Sequence, residues 1–481
     1  MMQNDFLSIL PLVVLIGWSV VLLLIDLWIP RENKGVTAIL ATAGLAVTMG
    51  LVLSSMNQTK TAFHGTIFID GFSSLLDIIF LVAGMAGIAL AYSYLKRMEI
   101  ERGEYYILLL ISISGMILMT YAADLLVVFM ALELLSIPLY ILAGFVRMQT
   151  ESQEAALKYF LLGAFSSGFV LYGISLVFGA TGYTDFQNIV STVNTGSINQ
   201  PLFLGGAALL LVGFGFKAAI VPFHMWSPDV YQGAPSPVTA FMSVGAKTAG
   251  FAALLRVFMV AFPGLAVDIV PVLWGLAALT MLVGNIAAIT QTNIKRLLAY
   301  SSIAQTGYIL MGFVSYGVAS VKGETVATIL FYLITYALGT MGAWSVVISL
   351  EKAEGKGLKL EDFAGLGRKY PWLGLVMAIC MLSFTGVPLT LGFWGKFYLF
   401  SVAVKGGFIG LAIVGLLTSV VSAYYYLRVV VIMYMQSGEP EIDQDPWVNI
   451  VAFVSAAFIL ILGIIPGQVL NIVAQAVLKT P

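Results

Sequence analysis

The chain has 481 residues, 60% of them hydrophobic and only 10% charged, with a mean hydropathy of +0.99 and a formal net charge of -1. So little polar surface cannot cover so much apolar mass, which excludes a soluble globular domain; the short segments of alternating polarity that mark an outer-membrane barrel are absent as well. The near-neutral charge gives no electrostatic footprint for nucleic acid.

At about 20 apolar residues per crossing, with Pro, Gly and charge clusters marking the ends, the sequence predicts an all-α polytopic membrane protein with about fourteen transmembrane helices. Span one, residues 6–29, is too long for a signal-peptide core and has no basic region before it, so it is read as retained. Spans two to six are 36–56, 72–95, 105–121, 124–146 and 154–178. Span seven, 201–228, contains Pro222 and is expected to break there, since an interior proline removes a ladder bond. Spans eight to eleven are 237–261, 269–291, 295–315 and 325–350. Span twelve, 371–403, is expected to break near Pro388, and spans thirteen and fourteen are 407–434 and 447–472. Fourteen basic residues, among them Arg31, Lys34, Lys96, Arg97, Arg368 and Lys369, gather at the end reached by span one, against only Lys60, Lys322, Lys405 and Lys479 at the other. That bias puts the first end in the cytoplasm and both termini outside.

Five basic residues fall within spans. Arg256 and Arg428 lie near span ends and are expected to snorkel. At 1.5 Å per residue, Lys247 lies about 15 Å beyond Pro237, Lys396 about 13 Å from Lys405, and Glu133 about 13 Å beyond Asp124. With Lys217, these sit near the middle of an apolar core about 30 Å thick. A lysine there costs roughly 2.5 to 3.5 kcal/mol, so several at one depth point to an ion path. Spans seven and twelve start from opposite ends and break at similar depth, the mark of inverted repeats that share a transport path. The expected organisation is residues 1–103 as three N-terminal helices, 104–262 and 268–434 as two inverted five-helix repeats, and 445–481 as a last helix.

Other polar residues are read more plainly. His224, just past the first break, is a candidate proton relay near neutral pH, with packing beside Trp226 as the competing role. Lys158 follows Glu154 by four residues, an i,i+4 surface pair, and is a candidate feeder of the cytoplasmic mouth. Asp77 is expected at the interface, and Asp229 in a loop or at a cap. The charged stretch 351–371 reads as a solvated connector in which DFAGLGR is a candidate docking surface, and Glu439, Glu441, Asp443 and Asp445 as an acidic solvated loop. The lone Cys380 lies in an apolar run and is expected to be core. No Walker A motif, strand-led GxGxxG or metal-ligand Cys/His cluster is present, so no metal or cofactor is expected in this chain.

Four stretches carry a family resemblance: EAALKYFLLGAFSSGFVLYGISLVFGATG (154–182), FKAAIVPFHMWSPDVYQGAPSPVTAFMSVGAKTAGFAALLR (216–256), NIKRLLAYSSIAQTGYILMGF (293–313) and FTGVPLTLGFWGKFYLF (384–400). They resemble the subunit N family of bacterial NADH:quinone oxidoreductase, respiratory complex I, and the likeness covers nearly the whole chain. The resemblance implies fourteen helices with two inverted five-helix repeats, in the bacterial inner membrane beside other membrane subunits, including sister antiporter-like ones. It implies proton translocation through a glutamate on helix five, lysines on helices seven and eight, and a lysine on helix twelve: Glu133, Lys217, Lys247 and Lys396. Lysine rather than glutamate on helix twelve favours subunit N over a sister subunit. Flavin, iron-sulfur clusters and quinone are then expected on other chains. Two other readings stand beside this one: a subunit of a multisubunit cation/proton antiporter, and a membrane scaffold whose buried charges only hold helices together.

Overall fold

The computed structural model describes residues 2–56, 58–196, 198–352, 356–476 and 478–479. The first part contains α1 (Met2–Ser8), α2 (Leu10–Asp26) and α3 (Gly35–Ser54), then an antiparallel hairpin of β1 (Lys60–Ala62) and β2 (Ile67–Ile69), then α4 (Gly71–Arg97). Next come α5 (Glu104–Tyr121), α6 (Leu125–Ala143), α7 (Thr150–Thr181), α8 (Phe186–Asn194), α9 (Gln200–Ala218) and α10 (Trp226–Gly233). α11 (Ser236–Leu254) runs on into a π-helical segment, Leu255–Ala261. The chain continues through α12 (Ala266–Ile289), α13 (Ile294–Val314), α14 (Lys322–Leu350), α15 (Leu366–Lys369), α16 (Pro371–Thr385), α17 (Leu391–Lys405) and α18 (Ile409–Met435). It ends with α19 (Pro446–Ile464) and α20 (Pro466–Gln475).

Helices dominate because backbone groups in hydrocarbon must be satisfied within their own segment. Among the described residues, twelve helices are long and apolar enough to cross a membrane, and the shorter apolar helices α2 and α16 fall where spans one and twelve are expected. Span fourteen is shorter than the sequence suggests: α19 stops at Ile464, and Pro466, which cannot extend a helix but can start one, opens the separate α20. The membrane-crossing helices pack around α11, buried along its whole length, and α13, nearly so, while α2, α3, α7, α18 and α19 keep broad apolar outer faces.

Both expected breaks exist. The first separates α9 from α10 across residues 219–225, and the second separates α16 from α17 across residues 386–390. Each exposes its proline, together with Met225 at one break and Leu389 at the other. A second pair of matched features ties the segments that lead into the broken helices. Asp124 caps α6 and forms an isolated antiparallel bridge with Asp185, through Leu125 N–H to Thr184 O (2.9 Å) and Phe186 N–H to Ala123 O (3.0 Å). Asn293 caps α13 and bridges Lys359 in the same pattern, through Ile294 N–H to Leu358 O (2.9 Å) and Leu360 N–H to Thr292 O (2.9 Å).

Four sequence-based expectations change. Arg256 does not snorkel: on the π-helical segment and 1% exposed, it makes a two-pronged contact with Asp70 at 2.7 and 3.0 Å and also bonds Ser73 and Thr120 O. A partner 186 residues away in the chain makes burial cheaper than reaching for water. Asp77, in the second turn of α4, does not face solvent but is buried, accepting from Thr120 (2.9 Å) and Tyr121 (2.7 Å). Residues 353–355 of the charged connector lie outside the described residues; in the DFAGLGR portion Phe363 and Leu366 are fully buried in this chain, which leaves Asp362 and Arg368 towards solvent. The acidic loop is paired rather than merely solvated: Glu439 with Lys369 (2.8 Å), Glu441 with Lys352, Asp443 with Arg97 (3.0 Å), while Asp445 caps α19. The hydrogen bond from Lys352 holds the Glu441 carboxyl below its usual range, and the one to Glu439 raises Lys369.

Arg256→Met would leave the Asp70 carboxylate buried without its cation, a defect that typically costs about 3–5 kcal/mol. The expected outcome is a marked fall in the melting temperature of the purified protein; an unchanged melting curve would mean that the pair contributes nothing to the fold.

Candidate functional site

Two of the three mid-span lysines, Lys217 and Lys396, sit beside a helix break that frees polar partners, while Lys247 lies within a regular helix. Lys217 lies in the last turn of α9, which ends at Ala219 in the left-handed conformation (φ 59°). Its Nζ donates to Ser136 Oγ on α6 (2.8 Å) and Tyr159 OH on α7 (3.1 Å), and it faces the rings of Tyr159 and Tyr140. Trp226, the first residue of α10, stacks on Tyr159 and donates to Phe216 O (2.9 Å), so the helix after the break helps shape the lysine pocket. Glu133, on the same helix as Ser136 and one turn before it, is half-buried and accepts a hydrogen bond from Ser167 of α7. In this conformation Glu133 and Lys217 are therefore each held by hydroxyls and form no ion pair with one another.

Lys247, in the middle of α11, donates to the carbonyl (2.7 Å) and hydroxyl of Ser302 on α13, and Tyr336 of α14 donates to the same hydroxyl (2.8 Å). Lys396, on α17 just past the second break, donates to Thr385 O (3.0 Å), the last residue of α16, and to Ser419 Oγ on α18 (2.8 Å), with Nζ 4.8 Å from the Tyr308 ring centre. Gly386 closes α16 at φ 90°, and a Cβ there would come within 3.0 Å of the Lys396 side chain. Glycine is thus needed both for the turn and for the room the lysine occupies. The side chains of Lys217, Lys247 and Lys396 are 2%, 2% and 4% exposed, and among the described residues none has an acidic partner within ion-pair distance.

Between Lys247 and Lys396 lies a buried set of neutral hydroxyls and amides. Tyr332 donates to the Gln305 carbonyl, Gln305 donates to Tyr426 OH (2.9 Å), and Tyr426 meets Ser301. Tyr425 donates to Asn285 (2.9 Å), which donates to Tyr308 (3.2 Å), and Tyr308 reaches Thr418 (3.4 Å), the residue before the Ser419 that holds Lys396. These groups can both donate and accept, or orient one that does. Ser301, Ser302, Gln305, Tyr308, Thr418 and Ser419 are visible in the sequence as polar residues on apolar helices. Ser136, Tyr159, Ser167, Tyr336 and Thr385 are not distinguished there, because only tertiary packing brings them to the lysines.

His224 is half-buried on the first break, and its Nδ1 is shielded from solvent without a hydrogen bond. Lys158 pairs with Glu154 as its spacing suggests (2.6 Å), but also with Asp229 (2.6 Å), and Asp229 in turn holds Arg296 (2.8 Å). Asp229 is therefore neither a loop residue nor a cap: it ties α10 to both α7 and α13. Among the described residues, no three His, Cys, Asp or Glu side chains converge as a metal site.

Asp229→Asn would weaken both of these contacts, which are partly exposed to solvent. Such pairs contribute less than about 1 kcal/mol each, so the variant is expected to keep a near-normal melting temperature; a loss as large as that of a buried ion pair would show that the α7–α10–α13 tie carries the fold.

The family model for the transmembrane part of NADH:quinone oxidoreductase and Mrp antiporters matches residues 122–422. The chain is 46% identical to the NADH-quinone oxidoreductase subunit N of Trichlorobacter lovleyi, over 98% of this chain and 96% of that one. Its fold superposes on a chain of the respiratory complex I structure from Thermus thermophilus with a TM-score of 0.83 and 38% identity, covering 97% and 99% of the two chains. It also matches a chain of the Mrp complex from Dietzia sp. DQ12-45-1b with a TM-score of 0.86, 99% and 97% coverage but only 20% identity, a likeness of fold alone.

Proposed function

The chain belongs to the NADH:quinone oxidoreductase/Mrp antiporter transmembrane family, as a proton-translocating membrane subunit of NADH:quinone oxidoreductase, and from that premise we propose that protons cross it by way of Glu133, Lys217, Lys247 and Lys396. It is a multi-pass membrane protein whose partners are other membrane subunits of such a complex. In our reading it takes no part in electron transfer: NADH, flavin, iron-sulfur clusters and quinone are handled by other subunits. Fourteen crossings put both termini on the outer side, and residues 104–262 and 268–434 are the two inverted repeats. The paired breaks and the paired two-bond bridges at Asp124–Asp185 and Asn293–Lys359 support that division.

One observation carries the route: three fully buried lysines are held by neutral hydroxyls and carbonyls, not by carboxylates. Close opposite charge would lock an ammonium in its protonated form. Hydroxyl partners leave it free to gain and lose a proton as a nearby charge moves. Glu133 is that charge for Lys217. When Ser167 releases it and it swings to Lys217, the ammonium is favoured; when it withdraws, Lys217 passes its proton towards Lys247. The hydroxyl and amide set then links Lys247 to Lys396, which releases towards the outer side. His224 and Lys158 serve the cytoplasmic mouth. The identities of 46% and 38% to complex I chains, against 20% to the Mrp chain, favour redox-driven pumping over independent antiport.

The test is NADH-driven proton uptake into inverted membrane vesicles carrying Lys217→Ala, with NADH dehydrogenase activity towards an artificial acceptor and the amount of assembled complex measured alongside. Pumping and quinone-linked turnover are expected to fall at least about tenfold while the other two readings persist. Normal pumping in an assembled complex would defeat the route.

A further inference from the structure

A second buried charge pair lies at the basic-rich end of the bundle, beside the start of the helix that carries Lys247. Lys295, in the first turn of α13, reaches Glu351 at the end of α14 (3.6 Å) and donates to Ala234 O (2.8 Å), two residues before α11 begins. Both side chains are more than nine-tenths buried. One Glu351 oxygen faces Lys295, and the other, Oε2, is buried with no hydrogen bond of good geometry; the Tyr94 hydroxyl of α4 stands beside this carboxylate. A buried carboxylate oxygen without a donor is costly, and a proton or a water would satisfy it.

Three helices carry polar residues from this pair towards the midplane. On α14, Tyr336 and Thr340 share a stripe with Trp344 and Glu351; on α13, Lys295 and Leu298 lead to Ser301 and Ser302; on α11, Ser236 and Ser243 lead to Lys247. From Ser236 to Lys247 is about 16 Å along the axis. Inside this column lies a small cavity of about 10 Å³ bordered by Ser243, Ser301, Tyr336 and Thr340, the room one water needs, with enough polar partners to hold it. The Thr340 hydroxyl is buried and unbonded beside it. Tyr336 borders the cavity and donates to Ser302, the residue that holds Lys247. Leu298 and Trp344 also border the cavity and, by helical position, stand between it and the Lys295–Glu351 pair.

We propose that Glu351, paired with Lys295, is a proton-loading site that supplies Lys247 directly from the cytoplasmic end, a second inlet beside the one at Glu133 and Lys217. This rests on the role proposed above for Lys247. A proton from cytoplasmic water converts the Glu351 carboxylate to the acid. Passed on through water admitted past Leu298 and Trp344, and through the Tyr336 and Ser302 hydroxyls, it converts a neutral Lys247 amine to the ammonium and restores the carboxylate. Lys295 holds the carboxylate in place between loadings.

The experiment compares proton uptake per NADH oxidised in inverted vesicles carrying the complex with Glu351→Gln, Glu351→Asp, Thr340→Leu or Lys247→Ala. Glu351→Gln is expected to lose about half or more of the uptake, with normal assembly and artificial-acceptor activity. Glu351→Asp should recover most of the loss, and Thr340→Leu, which fills the cavity, should reproduce it. Wild-type uptake in Glu351→Gln overturns the inlet. If Glu351→Gln does not assemble, wild-type uptake in Thr340→Leu overturns it instead. Lys247→Ala separates the two ideas: if it loses pumping while Glu351→Gln does not, only the inlet falls, and if it too pumps normally, the route through Lys247 falls with it.

Discussion

An ammonium group in the middle of an apolar bundle needs acceptors for its N–H bonds if it is to stay there charged. Lys217, Lys247 and Lys396 each find two, and much of the architecture follows from which groups supply them. Lys217 uses hydroxyls brought from α6 and α7, Lys247 uses one serine of α13, and Lys396 uses a carbonyl freed where α16 stops. Without the second break Thr385 O would be occupied within a helix, and a side chain at position 386 would crowd the lysine. The broken helices are thus part of how charge is accommodated at depth.

The same requirement divides the buried charges into two kinds. Arg256 with Asp70 is nearly saturated: the guanidinium meets both carboxylate oxygens, a serine and a carbonyl. Such a pair fixes the end of α11 against the start of α4. The three lysines are held by groups that accept without carrying charge, so their protonation is not dictated by a fixed partner. Lys295 with Glu351 falls between these kinds, since the carboxylate keeps one oxygen unbonded. Burial alone does not separate structural from mobile charge; the identity and completeness of the partners do.

The spans were legible in the sequence because twenty apolar residues between charge clusters have few other fates in water, and the breaks because Pro222 and Pro388 interrupt long apolar runs. The depth of the lysines followed from counting along helices. What could not be read was anything set by contact between distant segments. Asp70 finds Arg256, Asp77 finds Tyr121, and Asp229 finds Arg296 across separations that leave no local pattern. Ser136 and Tyr159 look like ordinary helix residues until α6, α7 and α9 pack. Pro466 was visible, but a hydropathy count runs through it and joins α20 to the span before.

The two breaks also have an electrical consequence. A helix carries partial negative charge at its carbonyl end, equivalent to roughly half an electron, and in an unbroken span that charge sits at the water interface. Here α9 ends beside Lys217 and α16 ends beside Lys396, so each half-helix delivers its negative pole to a cation in the low-dielectric interior, where little screens it. If alternate crossings make α9 and α16 antiparallel, the two poles face each other in opposite senses along the membrane normal. A charge moving through the midplane would then meet fixed fields of opposite direction at the two ends of its route.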